Sequence, residues 1–336
     1  MTSQPQRPAF GTVLTDSMAS ATFKDGQWSS FGIVPVAPIV ISPAAHVLHY
    51  ASTCFEGFKA YRRADGGIHV FRMDQHIARL RQSAERLVLP VPEAAMVAEM
   101  VREVIRRSRA AVPEAPGALY LRPILFGTTA NIGAAATPPA EAMLLVLASP
   151  VWDYFAGGMK PLRILVDDLN TRCAAHLGMV KTGGNYAAAM GPTLAARAKH
   201  QADQVLFCPG GQVQETGAAN FVLLRERQLL TRSLDSTFLH GVTRDSLLTL
   251  ARDLKYDVQE RPFEVKEMLD WAGSGEAALS GTAAVLAGVG TLIHRDREYR
   301  VGNGEVGPVT RDLRARLVAI QQGAAPDEHG WLEIIK

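Results

Sequence analysis

The sequence predicts an α/β protein of the α+β type with mixed sheets, arranged as two domains. Short apolar runs typical of strands occur in groups, as antiparallel neighbours do, and amphipathic helical segments interleave with them. A stretch rich in Pro and Gly, SPVWDYFAGGMKP, interrupts the chain near its middle, as interdomain connections do. We therefore expect a small N-terminal α/β domain over 1–150, an interdomain loop over 151–160 and a large C-terminal α/β domain over 161–336.

The N-terminal part begins with strands and continues with a helix. GIVPVAPIVI and IHVFRM read as strands, with the turn residues RRADGG between them. In DQHIARLRQSAERLVLP the apolar side chains of Ile77, Leu80, Ala84 and Leu87 recur on one helical face, and Asp74 lies at the start. This spacing predicts a helix with one face in the core.

A second helix and two buried strands follow. In EAAMVAEMVREVIRRSRAAV, helical spacing is kept by Met96, Met100, Val101, Val104 and Ile105. The runs ALYLRPILFG and AEAMLLVLAS are apolar enough to be strands buried on both faces. Beyond residue 160 the same kinds of element continue, with the strand pairs DQVLFCPGGQVQE and NFVLLRERQLLTR and the helices VTRDSLLTLARDLKY and GPVTRDLRARLVAIQQG.

Composition and charge exclude several classes of function. With 35 Lys and Arg against 33 Asp and Glu, the formal net charge is +2, which favours neither nucleic acid nor an anionic membrane as a partner. The three cysteines form no CxxC pair, the N-terminus lacks a signal-peptide pattern, and the longest apolar stretch is too short to span a bilayer. We therefore expect a cytoplasmic protein with no membrane contact.

Two common site patterns carry no weight here. The stretch GNGEVG at 302–307 matches GxGxxG, but it lies near the C-terminus and Pro308 follows it directly, so we interpret it as a loop whose proline opens the next helix. The nine histidines show no HExxH motif or other metal-ligand spacing, so we expect no metal site.

Lys181, in MVKTGGNYAAAM, is the most unusual charged residue of the chain. It lies among small and apolar residues with no acidic partner at helical spacing, and Gly183 and Gly184 follow it. Small neighbours allow a ligand to approach the backbone closely. The spacing alone leaves two interpretations open, a solvated turn residue and a nucleophilic amine in a pocket.

A nucleophilic lysine would need a carbonyl cofactor, of which pyridoxal 5′-phosphate (PLP) is the commonest, and the sequence contains partners for it. Glu215 lies between strands among small residues, where a carboxylate can pair with the pyridine nitrogen, and Tyr186 can hydrogen-bond the phenolic oxygen. Helix starts and small-residue turns suit a phosphate. HGVTRDSLL offers Val242 and Thr243, the latter as a helix N-cap, and LSGTAAV offers Thr282.

Several motifs in one order resemble the branched-chain aminotransferases of PLP fold type IV. VKTGGNYAAAM, ETGAANFVLL, LHGVTRDSLLTLAR and SGTAAVL are similar to that family's large domain, and HVLHYASTCFEGFKAYRRADGGIHVFR, HIARLRQSAERL and LYLRPILFG to its small domain. The resemblance runs from about Phe10 to GWLEII, essentially the whole chain. It implies the D-amino acid aminotransferase-like two-domain architecture and transamination of L-leucine, L-isoleucine and L-valine with 2-oxoglutarate.

The resemblance also implies roles for individual residues. Lys181 would carry the cofactor as an internal aldimine and move a proton to and from the substrate α-carbon. The cofactor contacts would be Arg79, Lys181, Tyr186, Glu215, Val242, Thr243 and Thr282. The substrate contacts would be Tyr50, Phe55, Tyr120, Arg122, Tyr154 and Ala283. Among these, Arg122 would receive the distal carboxylate of glutamate. Lys59 matches a family lysine, although a solvated role suits it equally.

The chain departs from the family pattern at two places. RCAAHLGMVK carries His176 and Leu177 where close relatives have small residues, which would affect substrate preference if this loop shapes the pocket entrance. Ala218 stands where some relatives have threonine. The alternatives within the fold are a D-amino acid aminotransferase, an (R)-amine transaminase or an aminodeoxychorismate lyase, and outside enzymes a ligand-binding protein. The resemblance also implies a homodimer or a larger homo-oligomer.

Overall fold

The computed structural model describes residues 8–152 and 158–336. The chain forms two compact units, one of Met1–Ala156 together with Ile320–Lys336 and the other of Gly157–Ala319. Each unit contains its own sheet. The predicted α/β class is confirmed.

The N-terminal unit contains eight strands before residue 152, counted over the described part of that region. They are β1 (Ser17–Lys24), β2 (Gln27–Trp28), β3 (Gly32–Pro35), β4 (Thr53–Phe55), β5 (Phe58–Arg62), β6 (Ile68–Phe71), β7 (Ala118–Gly127) and β8 (Ala142–Val151). Its α-helices are α1 (His46–Tyr50), α2 (Met73–Arg86) and α3 (Ala94–Arg107). The strand predicted in GIVPVAPIVI is shorter than expected and ends at Pro35, because prolines lack the N–H that a strand ladder needs.

The C-terminal unit carries a second set of strands and helices. The strands are β9 (Leu162–Asp167), β10 (Gln204–Phe207), β11 (Asn220–Arg225), β12 (Gln228–Thr231), β13 (Asp257–Glu260), β14 (Glu276–Gly281), β15 (Val285–His294) and β16 (Arg297–Arg300). The helices are α4 (Gly183–His200), α5 (Val242–Asp253), α6 (Val265–Ser274) and α7 (Pro308–Gln321). Over the described residues, none of the helices has both the length and the apolar character needed to cross a membrane.

The last strand, β17 (Leu332–Ile335), returns to the first sheet. It pairs antiparallel with β6, so that Leu332 faces Phe71 and Ile335 faces Ile68. For this reason Ile320–Lys336 groups with the N-terminal unit. The expected C-terminal domain over 161–336 differs from this grouping in its final segment.

The two sheets differ in strand direction. The first has the order β17-β6-β5-β7-β8-β1-β2, with β3 on β1 and β4 on β7, and its recorded pairings over the described residues are antiparallel. The second has the order β10-β9-β15-β14-β11-β12-β13, with β16 on β15. In it the β9 pairings with β10 and β15, and the β12–β13 pairing, are parallel, and the others are antiparallel. The predicted mixed direction is therefore a property of the second sheet.

Helices α2 and α3 cover one face of the first sheet. Ile77, Leu80 and Ala84 of α2 are buried, as their spacing predicts, whereas Leu87 lies just beyond the helix end. Helix α3 buries Val97, Met100, Val101, Val104 and Ile105 in the same core. Burial of this kind stabilises the unit by about 25 cal/mol for each Å² of apolar surface removed from water.

Strand β7 separates this core from the opposite face of the sheet. Leu119, Leu121 and Leu125 point into the core, while Tyr120 and Arg122 alternate with them and are half-buried. Because side chains of a strand alternate between faces, these two polar residues lie together on the face away from α2 and α3.

The GNGEVG stretch lies in the loop between β16 and α7, and α7 begins at Pro308, which confirms the loop interpretation. The Glu276 carboxylate accepts hydrogen bonds from the backbone N–H groups of Val309 at 2.9 Å and Thr310 at 2.8 Å. The chain's own carboxylate therefore fills the anion position at this helix start.

Candidate active site

Lys181 lies directly before α4, with Thr182 as the helix N-cap residue. Its Nζ donates a hydrogen bond to the Tyr186 hydroxyl at 2.7 Å and lies 5.2 Å from the centre of that ring. Both side chains are half-buried. The start of α4 thus places an amine and a phenol side by side, with part of each side chain shielded from solvent.

The loop before Lys181 is fixed by backbone contacts. Asn185 donates from Nδ2 to the carbonyl oxygens of Leu177 at 2.8 Å and Val180 at 3.0 Å. A Cβ on Gly178 would lie 2.0 Å from the carbonyl carbon of Thr237, so only glycine fits there. His176, one of the departures from the family pattern, is exposed on this loop.

Glu215 is buried and surrounded by hydrogen-bond donors. Its carboxylate receives Arg172 Nη2 at 2.9 Å, Asn220 Nδ2 at 3.0 Å and the backbone N–H of Leu239 at 2.8 Å. Arg172 also donates to the carbonyl oxygen of Gly178 at 2.9 Å. These charge-assisted bonds stabilise the ionised carboxylate and join the loop before Lys181 to the Glu215 turn.

Sequence reasoning missed Arg172 and Asn220. Only about 2% of Arg172 and 4% of Asn220 is exposed, although neither residue stands in a pattern that predicts burial. The available signal was an arginine without charged neighbours in NTRCAAH and an asparagine at the start of the apolar run NFVLL. Ala218 is exposed on the Glu215 turn, and its N–H donates to Thr216 Oγ1 at 3.4 Å.

Val242 and Thr243 are buried in the first turn of α5. The predicted N-cap role of Thr243 is wrong, because Gly241 is the N-cap residue and Thr243 lies inside the helix. Glycine is required at this cap, since a Cβ would lie 2.0 Å from Asn220 Oδ1. The first turn of a helix leaves N–H groups without helical partners, and these groups attract anions.

Thr282 and Ala283 lie half-buried in the turn that joins β14 to β15. Ser280, just before this turn, is opposite Asn220 in the β11–β14 pairing. Within the described part of the chain, its Oγ is buried without a hydrogen-bond partner. A buried hydroxyl left unpaired is costly, and it marks a place that suits a polar ligand atom.

Arg79, in the N-terminal unit, forms a buried cluster with Glu56 and His76. Arg79 donates from Nε to Glu56 Oε1 at 2.6 Å and from Nη2 to Oε2 at 2.9 Å, and His76 Nδ1 lies 2.7 Å from Oε2. Burial raises the pKa of Glu56, but the charges and hydrogen bonds of Arg79 and His76 outweigh it and hold that pKa below its ordinary value. Sequence reasoning missed Glu56 and His76.

Phe55, Tyr120 and Arg122 form a second cluster in the N-terminal unit. Arg122 Nη2 donates to the Tyr120 hydroxyl at 2.9 Å, and its guanidinium lies 4.6 Å from the Phe55 ring centre. Gly57 lies against Tyr120, because a Cβ there would be 1.8 Å from the tyrosine hydroxyl. Lys59 pairs opposite Tyr120 across β5 and β7, which puts it on the same face.

Tyr50 contacts a different segment of the N-terminal unit. The Tyr50 hydroxyl donates to the carbonyl oxygen of Ile132. Tyr154 lies outside the described residues. The structure therefore brings Phe55, Tyr120 and Arg122 together within one unit, and Lys181, Tyr186 and the Glu215 network are built within the other.

The chain is similar to known proteins over nearly its whole length. Residues 53–290 match the sequence model of the family described as Amino-transferase class IV. The branched-chain-amino-acid aminotransferase of Mycobacterium tuberculosis (strain ATCC 25618 / H37Rv) is 40% identical over 341 residues, covering 97% of this chain and 92% of that protein. The probable branched-chain-amino-acid aminotransferase of Streptomyces coelicolor is 38% identical over 338 residues, covering 98% and 92%.

Solved structures are similar over nearly the whole chain. A T.th. branched-chain amino acid aminotransferase with pyridoxamine 5′-phosphate has a TM-score of 0.78 at 27% identity, covering 95% of this chain and 99% of that one. The Escherichia coli branched-chain amino acid aminotransferase has a TM-score of 0.78 at 25% identity, covering 95% and 100%. The chain belongs to the class IV aminotransferases and, within that class, to the branched-chain-amino-acid aminotransferase family. The resemblance inferred from the sequence motifs is thereby confirmed.

Proposed function

We propose that this chain catalyses the PLP-dependent transamination of L-leucine, L-isoleucine and L-valine with 2-oxoglutarate, giving the branched-chain 2-oxo acids and L-glutamate. The observation that carries the proposal is the Lys181–Tyr186 pair, with 2.7 Å between Nζ and the hydroxyl, at the start of α4. A lysine needed only for solubility has no reason to be half-buried and bonded to a tyrosine. The family membership supplies the substrate class.

The residues of the C-terminal unit fit a flat, anionic cofactor. Glu215 offers a buried ionised carboxylate for a pyridine nitrogen, Tyr186 a hydroxyl for a phenolic oxygen, and Ser280 a buried hydroxyl in need of a polar partner. When bound, PLP supplies an electron sink for the pair of electrons left on the substrate α-carbon. The chain's part is to hold that group and to move the proton.

Lys181 is proposed to hold the cofactor and then to take the proton from the substrate α-carbon on its Nζ. Tyr186 orients the amine through their hydrogen bond. Glu215 keeps its negative charge because Arg172, Asn220 and the Leu239 N–H all donate to it. A fixed negative charge facing the pyridine nitrogen favours its protonated form, which is the stronger electron sink.

The phosphate is proposed to lie against helix and turn backbone. Val242 and Thr243 present the first N–H groups of α5, and Thr282 adds a hydroxyl from the β14–β15 turn. Arg79 is proposed to supply the charged contact. Anions are stabilised at helix N-termini by unpaired N–H groups and by the helix dipole.

The substrate pocket is proposed to combine apolar walls with one positive charge. Phe55 and Tyr120, with Tyr50 and Tyr154, would line the branched side chain, and Ala283 would add backbone contacts for the α-carboxylate. Arg122, held by the Tyr120 hydroxyl at 2.9 Å, would receive the distal carboxylate of glutamate. A planar guanidinium suits a carboxylate because it can donate two parallel hydrogen bonds.

The experiment that tests this function is a half-reaction titration without an acceptor. We expect L-leucine to remove the visible absorbance band of the lysine-bound cofactor, while D-alanine and (R)-phenylethylamine leave it unchanged. Loss of the band with D-alanine or the amine, but not with L-leucine, would overturn the substrate assignment and favour the D-amino acid or (R)-amine alternative. If added PLP gives no such band, the proposal that the chain is a PLP-dependent enzyme is overturned.

Gly57→Ala should damage the carboxylate site and spare the cofactor. The new methyl group would lie 1.8 Å from the Tyr120 hydroxyl, so the ring must move and release Arg122. We expect the KM for L-glutamate to rise about tenfold, as for one lost charged hydrogen bond, and the KM for L-leucine to rise less. Gly273→Ala, which meets nothing within 4 Å, is the matched control. Equal KM values in the two variants would contradict the assigned pocket.

We also propose that the chain forms at least a homodimer. Val40, Leu48 and Ile132 are 96%, 59% and 68% exposed. Backbone hydrogen bonds from His46 to Thr129 and from Asn131 to Ala44 hold helix α1, which carries Leu48, against the loop that carries Ile132. Leu48 and Ile132 are thus exposed on neighbouring segments, and contiguous exposed apolar patches mark protein–protein interfaces. Light scattering should give twice the mass of the 36.3 kDa chain, and Val40→Asp should lower it. A monomer that is fully active would refute the dimer.

We propose a cytoplasmic location as well. Cys54, Cys173 and Cys208 are all free thiols, and Cys54 and Cys208 are buried. Free cysteines suit a reducing compartment.

A further inference from the structure

Glu56 is the most deeply buried charged side chain of the N-terminal unit's polar cluster, with 0% of its surface exposed. It lies between β4 and β5, directly after Phe55 of the proposed substrate pocket. Both carboxylate oxygens are bonded to Arg79, at 2.6 Å from Nε and 2.9 Å from Nη2. Oε2 also accepts from the Gly57 N–H at 3.1 Å and contacts His76 Nδ1 at 2.7 Å.

A two-point contact of this kind fixes the plane of a guanidinium. Arginine has five N–H donors in a rigid fork, and Glu56 engages two of them along one edge. The flexible side chain of Arg79 is thereby held in one orientation, with its entropy lost before any ligand arrives. A group held in place beforehand binds its ligand more tightly, because less freedom is lost at the moment of binding.

We propose that Glu56 is a positioning residue for the cofactor phosphate, acting through Arg79. This inference rests on the proposed function, in which Arg79 contacts the phosphate of PLP. Glu56 itself is not proposed to touch either cofactor or substrate. His76 supports it by contacting the same carboxylate oxygen and by stacking on Phe58 with ring centres 5.0 Å apart.

A purely structural ion pair and a positioning pair predict different binding data. If Glu56 only stabilises the fold, its loss should weaken the binding of PLP and the binding of pyridoxal to the same extent. If Glu56 orients Arg79 toward the phosphate, its loss should weaken the binding of PLP alone, because pyridoxal is the same aldehyde without the phosphate. The informative quantity is the phosphate advantage, defined as the Kd of pyridoxal divided by the Kd of PLP.

The experiment measures the phosphate advantage of the cofactor-free full chain by titration at the visible band, with inorganic phosphate as a competitor. The variants are Glu56→Gln, which keeps the shape, Glu56→Asp, which keeps the charge but draws it back by one methylene, and Arg79→Lys. Glu333→Gln is the matched control, since Glu333 pairs with Arg102 at 2.7 Å on the same unit, in an ion pair that includes neither Glu56 nor Arg79. The double variant Glu56→Gln with Arg79→Lys closes a thermodynamic cycle.

We expect Glu56→Gln to lower the phosphate advantage about tenfold or more, as for one lost charged hydrogen bond. The phosphate advantage of Glu56→Asp should lie between that of Glu56→Gln and that of the original chain. Glu333→Gln should leave the phosphate advantage unchanged. When Arg79 is already replaced by Lys, adding Glu56→Gln should lower the phosphate advantage only slightly further, because the effect of Glu56 passes through Arg79. If Glu56→Gln does not fold, Glu56→Asp decides the outcome.

An unchanged or increased phosphate advantage in the Glu56 variants would overturn the proposal. So would full additivity in the double variant. If the proposed function itself were wrong, the binding data would differ from both of these results. In that case the original chain would bind PLP no better than pyridoxal, or would not bind it at all, and Arg79→Lys would have no effect.

Discussion

Lys181→Ala should abolish transamination, lowering turnover by at least about 10³-fold. The side chain is proposed both to hold the cofactor and to move the α-proton, and a positioned general base alone contributes about 10²–10⁴-fold. The Tyr186 hydroxyl, which accepts from Nζ at 2.7 Å, cannot replace an amine in either role. The measurement is the steady-state rate with L-leucine and 2-oxoglutarate, together with the absorbance spectrum of the purified variant.

Lys199→Ala is the control for this experiment. Lys199 lies on the same helix, α4, but its exposed ammonium pairs with Asp296 at 2.9 Å, and the side chain is 67% exposed. Its loss should leave the rate within about twofold, since exposed ion pairs contribute about 0–1 kcal/mol to stability and this one takes no part in the site. If Lys181→Ala and Lys199→Ala were equally active, Lys181 would be only a lysine at a helix start.

Glu215→Gln should destabilise the protein by about 3–5 kcal/mol, the usual cost of leaving one charge of a buried ion pair alone. Arg172 and Glu215 have side chains only 2% and 3% exposed. Once Glu215 is neutral, the Arg172 guanidinium stays buried with carbonyl oxygens and a carboxamide as its remaining acceptors. The measurement is urea unfolding of cofactor-free protein, so that a change in cofactor affinity does not enter the result.

The matched control removes a carboxylate from an exposed pair in the same unit. Arg163 and Glu298 are 2.6 Å apart, but their side chains are 33% and 61% exposed. Glu298→Gln should therefore cost no more than about 1 kcal/mol. Equal costs for the two substitutions would show that the Glu215 network is not a buried charge cluster.

Local pattern accounts for the part of the fold that the sequence predicts. The spacing of Ile77, Leu80 and Ala84 predicts α2 because an amphipathic helix is specified by residues within a few turns of one another. The return of Leu332–Ile335 to the edge strand β6 has no such signal, because pairing between distant strands depends on the packing of the whole unit. For the same reason the sequence did not show that, over the residues that the structure describes, the parallel pairings all lie in the second sheet.

The site residues also differ in whether local sequence predicts them. Lys181 and Glu215 stand out in the sequence because a lone charge among small residues is unusual, and the family resemblance then gives them roles. Their partners are distant. Glu56 and Arg79 are separated by 23 positions, and Arg172 binds Glu215 from a different loop. An arginine on a helix reads as a solvated residue until the structure shows what lies against it.

Borohydride reduction followed by peptide mapping shows whether Lys181 is the residue that binds the cofactor covalently. Reduction converts the link between an amine and an aldehyde into a stable bond, so mass spectrometry can locate it. We expect a single phosphopyridoxyl group, on the peptide that contains Lys181. A label on another lysine, such as Lys59, or no label after incubation with PLP, would contradict it.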